Sequence, residues 1–381
     1  MDRTSNFFPD MPKLLYLATE DWAFCQHFLP MGRAARDAGF EVVVAARAGR
    51  DTDRIVREGF RFVPLPIKRG SLAPFELVGS LVRMRRIVMA ERPDIVHCIN
   101  IRMALLGGLA ARAAGAKALV LAPTGLGHLW LKRGLFIRAA KRLTAWVIGH
   151  LLRRKGTHYL FENSEDPREF GLDPAGGDVT IVGGAGVDPV TFQPGPEPPS
   201  PPVKVALVAR MIAPKGIAEA VASVRLARER GAPVELHLFG TPDPENPTSY
   251  TEADLRRWTA EPGIHWHGRS EDAAAVYRDH HVALLLSHRE GLPKSLVEAA
   301  ASGRAIVASD VVGCREVVRD GVEGLLVPLG DVEAAAWTLA RLAGDPTLRA
   351  QMGRAGRARF EERGYTTVLP LTRASPLAHG A

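Results

Sequence analysis

The sequence predicts an α/β protein made of two doubly wound, parallel-sheet domains that face a cleft. Three observations carry this expectation. Short runs of apolar residues recur along the chain, and longer segments with apolar positions at helical spacing separate them. Strands apolar on both faces and alternating with helices belong to a parallel sheet covered on both sides. The alternation stops once, at 193–202 (QPGPEPPSPP), and then restarts. So dense a proline run is stiff and extended. It reads as a linker between an N-terminal domain (1–192) and a C-terminal domain (203–363), with a tail at 364–381.

The elements follow in order. In the first half, 13–18 (KLLYLA), 41–45 (EVVVA), 61–64, 94–98 (DIVHC) and 118–122 read as strands, and 26–38, 75–91 and 103–114 carry helical periodicity. In the second half, 203–209 (VKVALVA), 234–239, 282–287 (VALLLS), 305–309 and 324–327 read as strands. Segments 215–230, 331–343 and 347–363 read as helices. Ligands of open α/β sheets bind outside the carboxyl ends of the strands. The loops after Ala209, Ser287 and Ser309 are therefore the ones to examine.

Composition narrows the function. A chain of 381 residues exceeds the size at which single cores stop growing, and 46% hydrophobic residues exclude a disordered chain. Cys25, Cys98 and Cys314 lie far apart without CxxC spacing, which excludes a disulfide framework and a thiolate zinc site and suits a reducing compartment. The first twelve residues do not form a signal peptide, and no apolar run approaches the roughly 20 residues that span a bilayer. The expectation is a cytoplasmic protein, at most peripheral to a membrane. A net charge of +7 permits an anionic partner. No GxGxxG follows a strand, which removes the dehydrogenase reading.

Two loops carry candidate chemistry. Arg210-Met-Ile-Ala-Pro-Lys215-Gly216 links a strand to a helix. Two cations and a glycine at a helix N-terminus suit phosphate binding, because the first amides carry partial positive charge and an arginine fork grips two oxygens. The alternative is a solvated turn with two surface cations. The second loop contains Glu290, Gly291, Leu292, Pro293, Lys294, Ser295 and, in the helix beyond, Glu298. Gly291 permits a tight turn, Pro293 suits the first helical turn, and the amides of 292–295 would hold an anion. Carboxylates beside such a site would accept hydrogen bonds from sugar hydroxyls. The alternative is that Glu298 merely pairs with Lys294 at i,i+4.

EGLPKSLVEAAASG, with seven residues between Glu290 and Glu298, resembles the signature of the family-4 retaining glycosyltransferases. VALVARMIAPKG, FGTPDPENP, SDVVGCREVVRDGVEGLLVP, ERPDIVHC, PTGLGHLW, YLFENSEDPREF and GGAGVDPVTFQP extend the resemblance over nearly the whole chain. It is strongest to bacterial enzymes acting on polyprenyl-diphosphate-linked saccharides. The resemblance implies a GT-B fold of two Rossmann-like domains. It implies that Arg210 and Lys215 bind the donor diphosphate, that Glu298 holds the ribose, and that Glu290 contacts the donor sugar. It implies no metal cofactor, a nucleotide-sugar donor such as a UDP-sugar, and a saccharide acceptor. A nucleotide-sugar epimerase or hydrolase, or a non-catalytic binding module, are the alternatives on the same fold.

The N-terminal half should serve the acceptor. His27 lies in a loop-to-helix segment after the first strand, and Thr124, Gly125, Gly127 and His128 follow the strand 118–122. Related enzymes place a histidine at the end of that strand, where this chain has Thr124. His97, inside DIVHC, reads as a core histidine. Segment 129–155 holds eight cations, Lys132, Arg133, Arg138, Lys141, Arg142, Arg153, Arg154 and Lys155, and no acid. Leu135, Phe136, Leu143 and Trp146 accompany them, so an anionic membrane surface or a lipid diphosphate is the expected partner. The alternative is a sheet-packing helix with a solvated basic face. No nucleic-acid motif is present. The segment beyond Tyr365 lacks a helical stripe, so the closing helix of the fold looks shortened or replaced.

Overall fold

The computed structural model describes residues 11–68, 73–126, 130 and 134–365. The chain forms two compact units that divide between Ala185 and Gly186.

The first unit holds β1 (Lys13–Glu20), β2 (Glu41–Arg47), β3 (Arg61–Pro64), β4 (Ile95–Ile99), β5 (Ala118–Ala122), β6 (Thr157–Phe161) and β7 (Val179–Ile181). They make one parallel sheet in the order β3-β2-β1-β4-β5-β6-β7. Successive strand residues point to opposite faces, so both faces must be apolar. Leu15, Leu17 and Val43 pack with Met84, Val88 and Ala110 on one side. Leu14, Tyr16 and Val44 pack with Phe24, Phe28 and Phe60 on the other.

The second unit holds β8 (Val203–Val208), β9 (Val234–Phe239), β10 (Ile264–Trp266), β11 (Val282–Leu285), β12 (Ala305–Ser309) and β13 (Gly324–Val327). Its sheet is also parallel, in the order β10-β9-β8-β11-β12-β13. The α/β class, doubly wound, stands as read.

Several details differ from the reading. Strands β6, β7 and β10 carry no long apolar run and were not foreseen. The helix expected over 26–38 is two helices, Asp21–His27 and Leu29–Asp37, separated at Phe28. The helix expected from Lys215 begins at Ile217, after a 3-10 turn at Ala213–Lys215 and Gly216 in the left-handed region.

The proline run at 193–202 lies inside the second unit rather than between the two. Prolines lack the N–H but keep the carbonyl, and buried cations use what the segment offers. Arg349, 2% exposed, binds Glu197 through Nη2 at 2.8 Å and Leu342 O through Nη1 at 2.6 Å. Arg304 donates to Pro196 O at 3.1 Å, and His281 Nε2 lies 3.0 Å from Pro198 O. At the other end of the unit, Tyr365 O accepts from Val187 N at 2.8 Å. Of the expected tail, 366–381 lies outside the described residues. Among the described residues, no helix is long and apolar enough to cross a membrane.

Candidate active site

The winding of the second sheet singles out one place. From β8 the chain continues outward to β9 and β10, and from β11 it continues the other way to β12 and β13. Since β8 and β11 are neighbours, their onward connections diverge and leave a crevice at their carboxyl ends. The two loops read from sequence, at 210–216 and 287–293, are the connections that leave those ends.

They are tied to each other. Ser287 Oγ and His288 N both donate to Pro214 O, at 3.0 and 2.9 Å. His288 Nε2 lies 2.8 Å from Glu219 Oε1. Lys215 Nζ donates to Glu290 Oε1 at 2.5 Å. Gly216 makes this proximity possible. It sits at φ +71°, and a Cβ there would lie 2.0 Å from Leu286 O. Gly313 does the same for the helix Val312–Val317, since a Cβ on it would lie 2.5 Å from Gly291 O.

The electrostatics are those of cations held in reserve by local acids. Arg210 Nη1 donates to Asp243 Oδ2 at 2.8 Å, and Lys215 holds Glu290. Pro293 caps the helix Lys294–Ala301 instead of sitting inside its first turn. Leu296 N and Val297 N bond Pro293 O, so the N-terminal amides ahead of them are the ones a helix end offers to an anion. Glu298 is buried, and loss of water pushes its carboxyl up to about 6 against the opposing pull of Lys294. Lys294 Nζ lies 3.6 Å from Glu298 Oε1, so the i,i+4 pair exists as well. Tyr277, buried beside Glu298, donates its hydroxyl to Ser295 O at 2.7 Å and steadies the helix start. This set can bind an anionic diphosphate through the cations and amides, and hydroxyls through the carboxylates.

Asp243 and Glu219 were not foreseen. Asp243 lies 33 residues from Arg210, and only its position after a strand could have pointed to it.

The first unit has its own divergence, between β1 and β4. His27 ends the helix that leaves β1 and is partly exposed. Thr124 N donates to Ala122 O at 2.7 Å, which turns the chain at the end of β5, and Gly125 follows at φ +56°. Gly127 and His128 lie outside the described residues. Two residues after β4 escaped notice in the sequence. Asn100 holds the left-handed conformation, φ 72°, and its side chain donates to Thr19 Oγ1 and accepts from Arg102 N and Met103 N. Arg102 donates to Lys68 O at 3.0 Å, while its buried Nε and Nη2 have no hydrogen-bond partner among the described residues. His97 is a core histidine, packed between Tyr16 and Phe28, with burial pushing it down to about 3.

Within the basic segment, Leu131, Lys132 and Arg133 lie outside the described residues. The helix Leu135–Trp146 buries none of its residues, and Leu135, Phe136, Leu143 and Trp146 are exposed. The sheet-packing alternative holds for Val147, Ile148 and Leu152 beyond this helix, whereas within it Ala145 alone packs against the core among the described residues.

Comparison with known proteins agrees with this geometry. The family "Glycosyl transferase 4-like" matches residues 13–155, and "Glycosyl transferases group 1" matches 202–345. The EpsD protein of Bacillus subtilis (strain 168), a glycosyltransferase by its name, is 26% identical over 92% of this chain and 93% of its own. The N,N'-diacetylbacillosaminyl-diphospho-undecaprenol alpha-1,3-N-acetylgalactosaminyltransferase of Campylobacter jejuni is 24% identical over 86% of this chain and 89% of its own. Anabaena Alr3699/HepE, solved in complex with UDP-glucose, superposes with a TM-score of 0.70 at 17% identity, covering 93% of this chain and 96% of that one. With two doubly wound sheets, and with the Arg210–Lys215 and Glu290–Glu298 loops meeting where the second sheet diverges, the chain belongs to the family-4 retaining glycosyltransferases of the GT-B fold.

Proposed function

We propose that this enzyme moves a sugar from a UDP-sugar to a hydroxyl of a saccharide carried on a polyprenyl diphosphate, in the assembly of a cell-surface polysaccharide. The observation that carries the donor half is the pairing of Arg210 with Asp243 and of Lys215 with Glu290 in two stitched loops. An arriving diphosphate brings more negative charge than either carboxylate, and competes for both cations. Displacing Glu290 from Lys215 releases a carboxylate to accept hydrogen bonds from the donor sugar. Arg210, Lys215 and the amides of the helix Lys294–Ala301 stabilise the charge that develops on the leaving nucleotide. These cations and the helix dipole carry that charge without a bound metal. Glu298 accepts hydrogen bonds from the ribose. In the retaining mechanism proposed here, the acceptor attacks on the face the nucleotide leaves, and a leaving phosphate oxygen takes the acceptor proton.

The acceptor half is supported by the Campylobacter relative's named diphospho-undecaprenol substrate. It is supported also by the Arg102 guanidinium, two of whose buried nitrogens have no hydrogen-bond partner among the described residues, and by the exposed basic helix Leu135–Trp146, which suits an anionic cytoplasmic membrane face. Thr124, Gly125, His27 and His128 are the remaining acceptor-side candidates.

The test is transfer from labelled UDP-sugars onto membrane extracts. Lys215→Ala and Glu298→Ala should each abolish transfer while the thermal unfolding transition stays cooperative. Full activity in both variants would sink the site assignment. Label released as free sugar or as an epimerised nucleotide-sugar, with none in lipid extract, would replace transfer by hydrolysis or epimerisation.

A further inference from the structure

At the edge of the second sheet lies a group of side chains that sugar transfer does not use. β9 and β10 pair in parallel with His237 opposite His265. Alternation along a strand then sets Glu235, His237 and His265 on one face. The imidazoles of His237 and His265 stack with centroids 4.7 Å apart. Glu235 Oε2 lies 3.6 Å from His237 Nε2 and 3.7 Å from His265 Nε2. One ligand atom from each of the three side chains lies within 4.8 Å of the other two.

These separations are too long for hydrogen bonds. Both Nε2 atoms are shut off from water and have no hydrogen-bond partner among the described residues. Buried polar atoms rarely stay unpaired, and two facing one carboxylate call for an explanation. A metal supplies one. Ligand atoms about 2.0–2.1 Å from a tetrahedral zinc stand roughly 3.3 Å from each other. The two Glu235–histidine separations are within a few tenths of an ångström of that figure, and the third pair lies within 4.8 Å.

The surroundings fit as well. His237 Nδ1 lies 2.9 Å from His267 Nε2, a contact that fixes the ring with Nε2 toward Glu235. His280 donates from Nδ1 to Val276 O at 2.6 Å and packs edge-on to His237 at 4.7 Å. Lys204, across from Glu235 on β8, and Arg228, which donates to Val234 O at 2.7 Å, are nearby charges that oppose a cation, and Glu235 offsets them in part. The partial exposure of all three side chains gives an entry path. Thiols do not compete, since Cys25, Cys98 and Cys314 are buried in other cores.

We propose that Glu235, His237 and His265 bind one divalent transition-metal ion of the zinc class, leaving a fourth position for water. The ion bridges β9 to β10, the three-residue strand at that edge of the sheet, and adds to the core packing of Ile264 and the Trp266 Nε1–Gly240 O hydrogen bond that already hold it. It does no chemistry in transfer, because β8 and β9 stand between β10 and the β11 loop.

The test uses the full chain without a purification tag, stripped with a chelator and dialysed against micromolar Zn²⁺. The expected result is one zinc per chain and a thermal unfolding midpoint that rises when zinc is added. Glu235→Gln and His265→Ala should each lower bound zinc below about one tenth of an equivalent and remove the shift. Both positions are partly exposed, so their metal-free midpoints should stay near that of the parent chain. Co²⁺ in place of Zn²⁺ should give the visible absorption of a four-coordinate site in the parent chain alone. Less than about a tenth of an equivalent on the parent chain, or unchanged stoichiometry in both variants, overturns the proposal.

Discussion

Glu298 is an acid largely withdrawn from water, and its pH dependence follows. Burial raises its carboxyl from 4.5 to about 6. A raised carboxyl favours the protonated form in the folded chain. Its contribution to stability is complete below pH 4.5 and is lost as pH rises through about 6. The loss is on the order of 2 kcal/mol. Glu298→Gln, which cannot ionise, should therefore gain stability relative to the parent chain between pH 4.5 and 7.5, as read by urea midpoints. A difference that stays flat across that range would contradict the assignment. If the carboxylate also accepts from ribose hydroxyls, binding of an intact nucleotide-sugar, whose diphosphate does not titrate there, should strengthen with pH over the same window. The residue types of this site were legible because Glu290 and Glu298 sit in one short segment with its helix start. Asp243, Glu219 and the need for glycine at 216 were not. Each depends on an atom brought from another loop, and Leu286 O lies 70 residues from the glycine it crowds.

Elements were legible where their composition was uniform. β11 and β12 are nearly unbroken apolar runs and read directly, whereas β7 and β10 are three residues each and offer no pattern. The proline run was misread as a linker for a physical reason. Its backbone cannot join a sheet, yet its carbonyls and Glu197 can be claimed by buried cations from distant elements. Arg349 is the largest of these debts to tertiary structure. It sits in the helix Pro346–Glu362, binds Glu197 and also caps Leu342 O and Ala343 O. Removing one partner of a buried pair strands the other. Arg349→Met should cost on the order of 3 kcal/mol in urea unfolding of the second unit. Adding Glu197→Leu should recover a large part of that loss, giving a coupling energy that a double-mutant cycle reads. A double variant as unstable as the sum of the two singles would mean that the segment is held by something else.

At the scale of the whole molecule, both sheets repeat one winding, outward in two directions from a central pair of strands. That repeat was visible in the sequence, because each half alternates strand and helix. The point of divergence was not, since strand order is invisible until the strands pair. It gives the two proposed ligands separate parts of the second unit: the diphosphate would take the β8 and β11 loops, and the metal the β9–β10 edge. Hydrogen exchange on the full chain can test that division, because a ligand suppresses the local openings that expose the amides it orders. A nucleotide-sugar should slow exchange at 210–216 and 287–298 and leave 264–267 unchanged. Zinc should slow exchange at 234–239 and 264–267 and leave the donor loops unchanged. Protection by the nucleotide-sugar confined to the first unit would mean that the donor binds elsewhere, whatever the metal does. Protection of the donor loops by zinc as strong as that at the edge strand would mean that the cation enters the diphosphate site, and the two sites would have to be merged into one.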